Sequence, residues 1–364
     1  MSRVFVTDCE GPISKNDNAF ELTEKFIPNG GKLFQVISKY DDVLADITKK
    51  EGYAAGDTLS LILPFFHAYG IRDSDMEDFS AKNISLVPGA KDTLVGVCSS
   101  MPSFMISTSY EHYIRPLCNL TGFPFENTYS TKAKLSRYES LMAEKYYLQD
   151  LAQKISKMPV MEIPKSNKFE DFSKTDKKNI KKLDEIFWNH IAQIDFSPKD
   201  SVLAENYYPI GRVLKEVKPI GGPKKADAID DIIKKTGTKL SDVMYVGDSI
   251  TDVQAFRKVR EEEGLTVSFN GNNYAVREAE IAVLSGNTNI TSFIADAFRI
   301  KGKMGVYNLI SGLNTAFSDE GRAILNPAFL PKVELVTSEN MEALAKESSA
   351  FRKTVRGVSV GQLG

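Results

Sequence analysis

A chain of 364 residues, 42% hydrophobic and 26% charged, is long enough to bury a large core, and its length suggests about two domains. Its 46 Lys and Arg stand against 48 Asp and Glu, and a formal charge of -2 gives no reason to expect a nucleic-acid partner. Cys9, Cys98 and Cys118 form no CxxC pair and have no companion histidine cluster, which points away from a disulfide framework or zinc site and toward a reducing cytoplasm.

The sequence runs from Met1-Ser2-Arg3 directly into Val4-Phe5-Val6-Thr7, leaving no room for a signal peptide. No window holds the roughly 18 uninterrupted apolar residues of a spanning helix, so no membrane span is expected. Val4 to Thr7 reads as a buried parallel strand that delivers Asp8 and Glu10 to its carboxyl end before a Gly11-Pro12 break.

From about residue 14 to 85 the spacing predicts helices over 19–26, 33–48 and 59–69. Leu33, Val36, Ile37, Tyr40, Leu44 and Ile47 recur at intervals of three and four, as an amphipathic helix requires. This stretch reads as a helical insertion whose Phe65-Phe66-His67 cluster, with Tyr69, is core rather than substrate contact. Sheet-like text returns with the Pro88-Gly89 turn, a helix over 90–99 and a buried strand over 103–106 that ends in Ser107-Thr108-Ser109. A further helix through Leu117 and a short strand ending near Thr131 keep the βαβ rhythm of a parallel sheet.

A second helical insertion is expected over 135–194. Lys165, Lys168, Lys174, Lys177, Lys178, Lys181 and Lys182 read as its solvated face, and Trp188 and His190 as packing residues. From Ser201 the chain returns toward the sheet. Gly221-Gly222-Pro223-Lys224-Lys225 opens a helix over 226–236, strands follow at 243–246 and 265–269 with a helix over 252–263 between them, and 281–284 reads as the last strand. The tail is helical from about Thr291 and irregular around Pro327 and Pro331.

Asp8, Ser107, Lys225 and Asp248 stand at strand ends or a helix start. Singly, each has a plain structural reading: a cap, a turn, a surface lysine. Together they describe a chemistry. Oxygens from Asp8 and Asp248, a backbone carbonyl near Glu10 and several waters would suit Mg2+, which demands octahedral oxygen coordination. An Asp carboxylate can attack phosphorus and split one hard displacement into two easier ones. Lys225 and Ser107 would stabilise the spread negative charge of the phosphoryl group.

The order and setting of these stretches resemble the haloacid dehalogenase (HAD) superfamily, most specifically in Gly247-Asp248-Ser249-Ile250-Thr251-Asp252, with Val4 to Pro12, Phe104 to Ser107 and Lys225 as the other three motifs. The Lys225 to Asp248 spacing and Pro88-Gly89-Ala90 are similar to phosphoserine-phosphatase-type members. The resemblance implies an α/β fold: a doubly wound, Rossmann-type parallel core over 1–14, 86–134 and 200–300. Helical caps would be inserted at 15–85 and 135–199, with a C-terminal extension over 301–364.

The resemblance also assigns roles. Asp8 becomes nucleophile and metal ligand, Ser107 a phosphate donor beside Thr108, and Lys225 the charge partner, with Lys224 as its competitor. Asp248 becomes a metal ligand, and Asp252 a ligand or its support. Glu10 occupies a position where the family's phosphatases usually carry an Asp general acid, and its extra methylene makes it either an adapted acid or a mark of reduced turnover. The layout is also similar to a group of archaeal HAD proteins, some named as an energy-converting hydrogenase subunit. The chain lacks the cysteine ligands of an iron-sulfur cluster, so that name would not imply electron transfer.

The expectation is a cytoplasmic, Mg2+-dependent phosphohydrolase of a small phosphorylated metabolite, working through an aspartyl-phosphate on Asp8. Its alternative is a phosphometabolite-binding accessory subunit of a larger complex, which leaves room for a protein partner or a homo-oligomer.

Overall fold

The first strand, β1 (Val4–Thr7), is buried along its whole length because both of its faces are covered. Val4 and Val6 enter one apolar cluster and Phe5 the other, as the period of two along a strand requires. The protein is described here by a computed structural model covering residues 3–194, 208–316 and 330–361. The expected return of the chain from Ser201 and the irregular stretch at Pro327 lie outside the described residues.

The described residues place β1 near the middle of a seven-stranded sheet of order β3-β2-β1-β4-β5-β6-β7. The others are β2 (Ser103–Tyr110), β3 (Thr128–Thr131), β4 (Val243–Gly247), β5 (Leu265–Phe269), β6 (Ile281–Leu284) and β7 (Lys332–Leu335). All pairs are parallel except β6 with β7. The chain winds outward from β1 to β3, then crosses back to β4 on the other side. The carboxyl ends of β1 and β4 therefore flank a topological switch point, where open α/β sheets bind ligands. Register sharpens this, since Thr7 lies opposite both Met105 and Val246. Asp8, Ser107 and Asp248 follow within two residues and emerge at one edge.

Between β1 and β2 the chain forms α1 (Asn18–Phe26), α2 (Gly30–Asp42), α3 (Thr58–Ala68), α4 (Asp73–Asn83) and α5 (Ala90–Ser100), and α6 (Glu111–Thr121) links β2 to β3. Between β3 and β4 come α7 (Met142–Ser156), α8 (Lys174–Asp184), α9 (Val213–Glu216) and α10 (Pro223–Thr236). The remaining helices named here are α11 (Val253–Glu261), α12 (Asn273–Glu278), α13 (Asn289–Ala316) and α14 (Met341–Arg356). Helices α5, α6 and α13 cover one face of the sheet through Leu94, Ile114 and Phe298, while α10 and α11 cover the other through Ile229 and Phe256. The architecture is a doubly wound α/β sheet carrying two runs of inserted helices. No helix among the described residues is long and apolar enough to cross a membrane.

The helices on either side of β2 share one apolar core. Val36 and Tyr40 of α2, Phe65 and Phe66 of α3, Leu148 and Ile155 of α7 and Leu183 of α8 belong to a single buried cluster. Trp188 joins its edge, where its ring N–H donates to the Tyr40 hydroxyl at 3.0 Å. Six of the seven lysines between Lys165 and Lys182 are exposed, as a solvated face requires.

The tail departs from the sequence reading, which ended the sheet at 281–284. Immediately after Pro331, β7 adds an antiparallel edge strand to β6, and α14 then runs back over the strand ends to pack on α12. Proline is tolerated at the start of an edge strand, so the residue that suggested irregular chain instead marks where a short strand begins.

Candidate active site

Asp8 continues the ladder of β1 by donating its N–H to the Val246 carbonyl at 2.8 Å. Its side chain is thereby aimed across the switch point. One carboxylate oxygen, Oδ2, lies 2.6 Å from the ammonium of Lys225, and Oδ1 accepts the Cys9 N–H at 2.6 Å. Lys225 stands in the first turn of α10, which starts at Gly222 with positive φ followed by Pro223, whose fixed φ suits the first helical position. That turn points Lys225 inward and leaves it with no solvent exposure, whereas Lys224 stays partly exposed. Lys225 is therefore the lysine that reaches the acids.

The second partner of Lys225 is Oδ1 of Asp252, at 2.7 Å. That oxygen also accepts the Tyr245 hydroxyl at 2.7 Å, while Oδ2 accepts the backbone N–H groups of Asp248 at 2.9 Å and Ser249 at 3.0 Å. Both oxygens of Asp252 are thus occupied by protein donors. Burial pushes the Asp252 carboxyl up, but Lys225 and these hydrogen bonds outweigh it and hold it below its usual range. Burial raises Asp8 to about 7, with Lys225 opposing and Asp252 and Asp248 adding to the rise. Lys225 is itself held protonated, its burial outweighed by Asp252 and Asp8.

Two glycines permit the close approach. Gly11 has φ +106°, and a Cβ there would overlap the Asp248 carboxylate; a Cβ on Gly247 would strike Asp252. The Gly-Pro break after Glu10 is therefore a packing requirement as well as a turn.

Ser107 is buried inside β2, which runs on past the expected end at 106; it stands two residues beyond the last pairing with β1, and its Oγ accepts the Ser109 N–H at 3.2 Å. Thr108 directs its hydroxyl to the Ile220 carbonyl at 3.0 Å, tying β2 to the segment before α10. Ser109 Oγ is buried without a hydrogen-bond partner. Glu10 turns its Oε1 to the N–H of Asn18, 2.8 Å away at the start of α1. Burial and then Asp17 push the Glu10 carboxyl well above its usual range, against the pull of Arg356 and the Asn18 amide.

These groups line a cavity of about 110 Å³, with Asp8, Glu10, Ser107, Thr108 and Asp248 on the sheet side and Phe34, Asp41 and Leu59 from the inserted helices opposite. Asp41 fastens the loop above it by accepting from the Tyr53 hydroxyl and the N–H groups of Gly56 and Thr58.

The C-terminal helix also enters this cavity. Arg352 and Arg356 of α14 both direct Nη1 at Oδ2 of Asp248, Arg356 from 3.2 Å and Arg352 in closer contact. Arg356 additionally donates to the carbonyls of Lys15, at 3.0 Å, and Asn16. Sequence reasoning missed both arginines. Their signal was present but faint: they lie four apart on a helix whose other buried positions are Leu344, Ala345 and Ser348, so arginine stands where a core residue is expected.

Carboxylate oxygens of Asp8, Asp248 and Asp252 lie within 4.8 Å of one another. Of these three, Asp8 and Asp248 line the cavity and Asp252 does not, so Asp8 and Asp248 are the side chains of the cluster that a cation in the cavity would meet. Their oxygens are of the hard type that Mg2+ takes.

No family model matches the sequence, and no curated protein matches it. The structure is similar to that of gene product AF1437 from Archaeoglobus fulgidus, with a TM-score of 0.79 and 24% identity over 100% of this chain and 99% of that one. That likeness is one of fold, over the whole length. More distant are phosphoserine phosphatase as a phospho-aspartyl intermediate analogue, at TM-score 0.44 and 12% identity over 77% of this chain and 92% of that one, and phosphoserine phosphatase in apo form, at 0.38 and 13% over 78% and 93%.

Proposed function

We propose that the protein is a cytoplasmic, Mg2+-dependent phosphohydrolase of the HAD type, acting on a small phosphorylated metabolite through an aspartyl-phosphate on Asp8. The observation that carries this reading is the buried Lys225 ammonium bridging Asp8 and Asp252, with Asp8 sharing the cavity wall with Ser107 and Asp248. A carboxylate at a strand end, oriented by a fixed cation and facing hydroxyl donors, is what in-line phosphoryl transfer requires.

In the first step the Asp8 carboxylate attacks phosphorus, and the bond from phosphorus to the leaving oxygen breaks as Glu10 gives that oxygen a proton. In the second, Glu10 takes a proton from water, the water oxygen attacks phosphorus, and the bond to Asp8 breaks to release phosphate. Lys225 and Ser107 stabilise the phosphoryl oxygens in both steps. Mg2+ held by Asp8 and Asp248 would supply neutralising charge between the carboxylates and the phosphate. The helices inserted between β1 and β2 and between β3 and β4 act as the cap and keep bulk water out.

A panel of phosphomonoesters with Mg2+ tests the reading. Hydrolysis by the natural sequence, lost in Asp8→Asn, is the expected result. Tight ligand binding with negligible turnover across the panel would favour an accessory binding subunit instead.

A further inference from the structure

The proposed chemistry leaves Arg352 and Arg356 unexplained. Both side chains are 4% exposed, and both guanidinium groups converge on one oxygen of a single carboxylate. Two buried cations exceed the charge of one carboxylate, and the further acids that act on them, among them Asp17 on both and Glu10 on Arg356, form no hydrogen bond or ion pair with either arginine. Arg352 has a second bond only to the Asp248 carbonyl, at 3.3 Å, and its Nε is buried without a partner. Asp248 is also one of the two carboxylates of the acid cluster that line the cavity, so the arginines stand against an oxygen that a metal would use.

We propose that Arg352 and Arg356 form an internal counter-cation for Asp248 that a divalent cation must displace before the site is loaded. The inference rests on the cation-dependent reading of the site. Displacement is feasible because α14 is anchored lightly. Its buried apolar contact with the sheet is a cluster of five residues, Val276, Ala282, Leu284, Leu344 and Ala345. Its other ties are the Ser348 hydroxyl on the Gly271 carbonyl at 2.7 Å, the Ser349–Asn273 hydrogen bond at 3.0 Å, the Arg356 bonds to the Lys15 and Asn16 carbonyls, and the solvent-exposed ion pairs Arg277–Glu342 and Lys332–Glu347, a class of contact that contributes little. Elements held by small clusters open at lower free energy than core strands. In the loaded state the guanidinium groups are released from Asp248 and stand beside the cavity where an anionic substrate would enter.

The test uses the full chain with Mn2+ alone as probe, its binding followed by electron paramagnetic resonance. The Arg352→Gln/Arg356→Gln double variant is expected to bind Mn2+ about tenfold tighter than the natural sequence, or more, since removing a competing charge pair is worth about that much. Equal or weaker binding by a folded double variant overturns the proposal, as does silence of both proteins toward Mn2+.

Should the double variant not fold, hydrogen exchange on the natural sequence gives the answer. Saturating Mn2+ should speed exchange across 341–356, and should not do so in Asp248→Asn; exchange unchanged or slowed overturns the proposal. Both readouts are made without substrate. Tighter Mn2+ binding in a protein that hydrolyses no phosphomonoester would uphold the displacement and remove the phosphatase reading, while Mn2+-dependent hydrolysis with unchanged variant affinity would do the reverse.

Discussion

Lys225 and Asp252 form an ion pair at 2.7 Å with neither side chain exposed to solvent, and every hydrogen-bonding oxygen of that aspartate is committed to the protein. Truncation would strand a buried tyrosine hydroxyl and two backbone N–H groups and leave the buried ammonium with Asp8 as its one remaining carboxylate. Asp252→Ala is therefore expected to cost about 3–5 kcal/mol of stability, read as a lower urea midpoint with an unchanged slope.

Asp8→Asn keeps the shape of the side chain and leaves Lys225 paired with Asp252. The fold should survive, with an unaltered circular dichroism spectrum. Phosphate release should nevertheless fall by about 10³-fold or more, as the loss of a nucleophile does in enzymes whose residues act as a unit. Retention of full turnover would remove Asp8 from the reaction.

Glu10 is long enough to reach the Asn18 amide at 2.8 Å. Glu10→Asp withdraws the carboxyl by about 1.5 Å, one carbon–carbon bond, and breaks that anchor. A loss of about tenfold to a hundredfold in kcat with little change in KM is expected. A gain in rate would instead mark Glu10 as a damaged acid that aspartate repairs.

Gly11→Ala places a methyl group against Asp248 at φ +106°. The substitution should lower stability by about 1–3 kcal/mol and weaken Mn2+ binding together. A variant of unchanged melting temperature would show that the loop carrying Gly11 is looser than its contacts imply.

His67 lies beside Ser140 in the inserted helices, and burial, with Lys145 nearby, lowers its pKa to about 4. The folded state therefore holds it neutral while the unfolded chain protonates near 6.5. Its contribution to stability is fully present above pH 6.5 and is lost as pH falls toward 4. An NMR titration of the ring should show a midpoint near 4, and one near 6.5 would contradict its burial.

Much of the sheet was legible because β1, β2 and β4 are short apolar runs that end abruptly in polar residues, and a parallel sheet buries such runs on both faces. Positions 8, 107 and 248 then converge through register, while the first turn of α10 and the turn after β4 bring in 225 and 252. The shared core of the inserted helices was not legible, because periodicity shows that Val36 and Leu148 each face something without saying that they face each other. Strand β7 has only Val333 buried, and its pairing with β6 is decided by a contact some fifty residues back. Arg352 and Arg356 went unnoticed because burial of an arginine here depends on a carboxylate 104 and 108 residues away, which no local pattern encodes.

Strand β7 and helix α14 follow every acid of the site in the sequence, so during synthesis they emerge after those acids. A nascent chain that has released residues up to about 316 holds β1 to β6 and every acid of the site, and domains begin to fold in the order they are made. For that interval Asp248 is without its two arginines. A divalent cation in the surrounding solution would have its first opportunity to bind before the helix that opposes it has docked, and the order of translation would then decide which state the newly made protein occupies first.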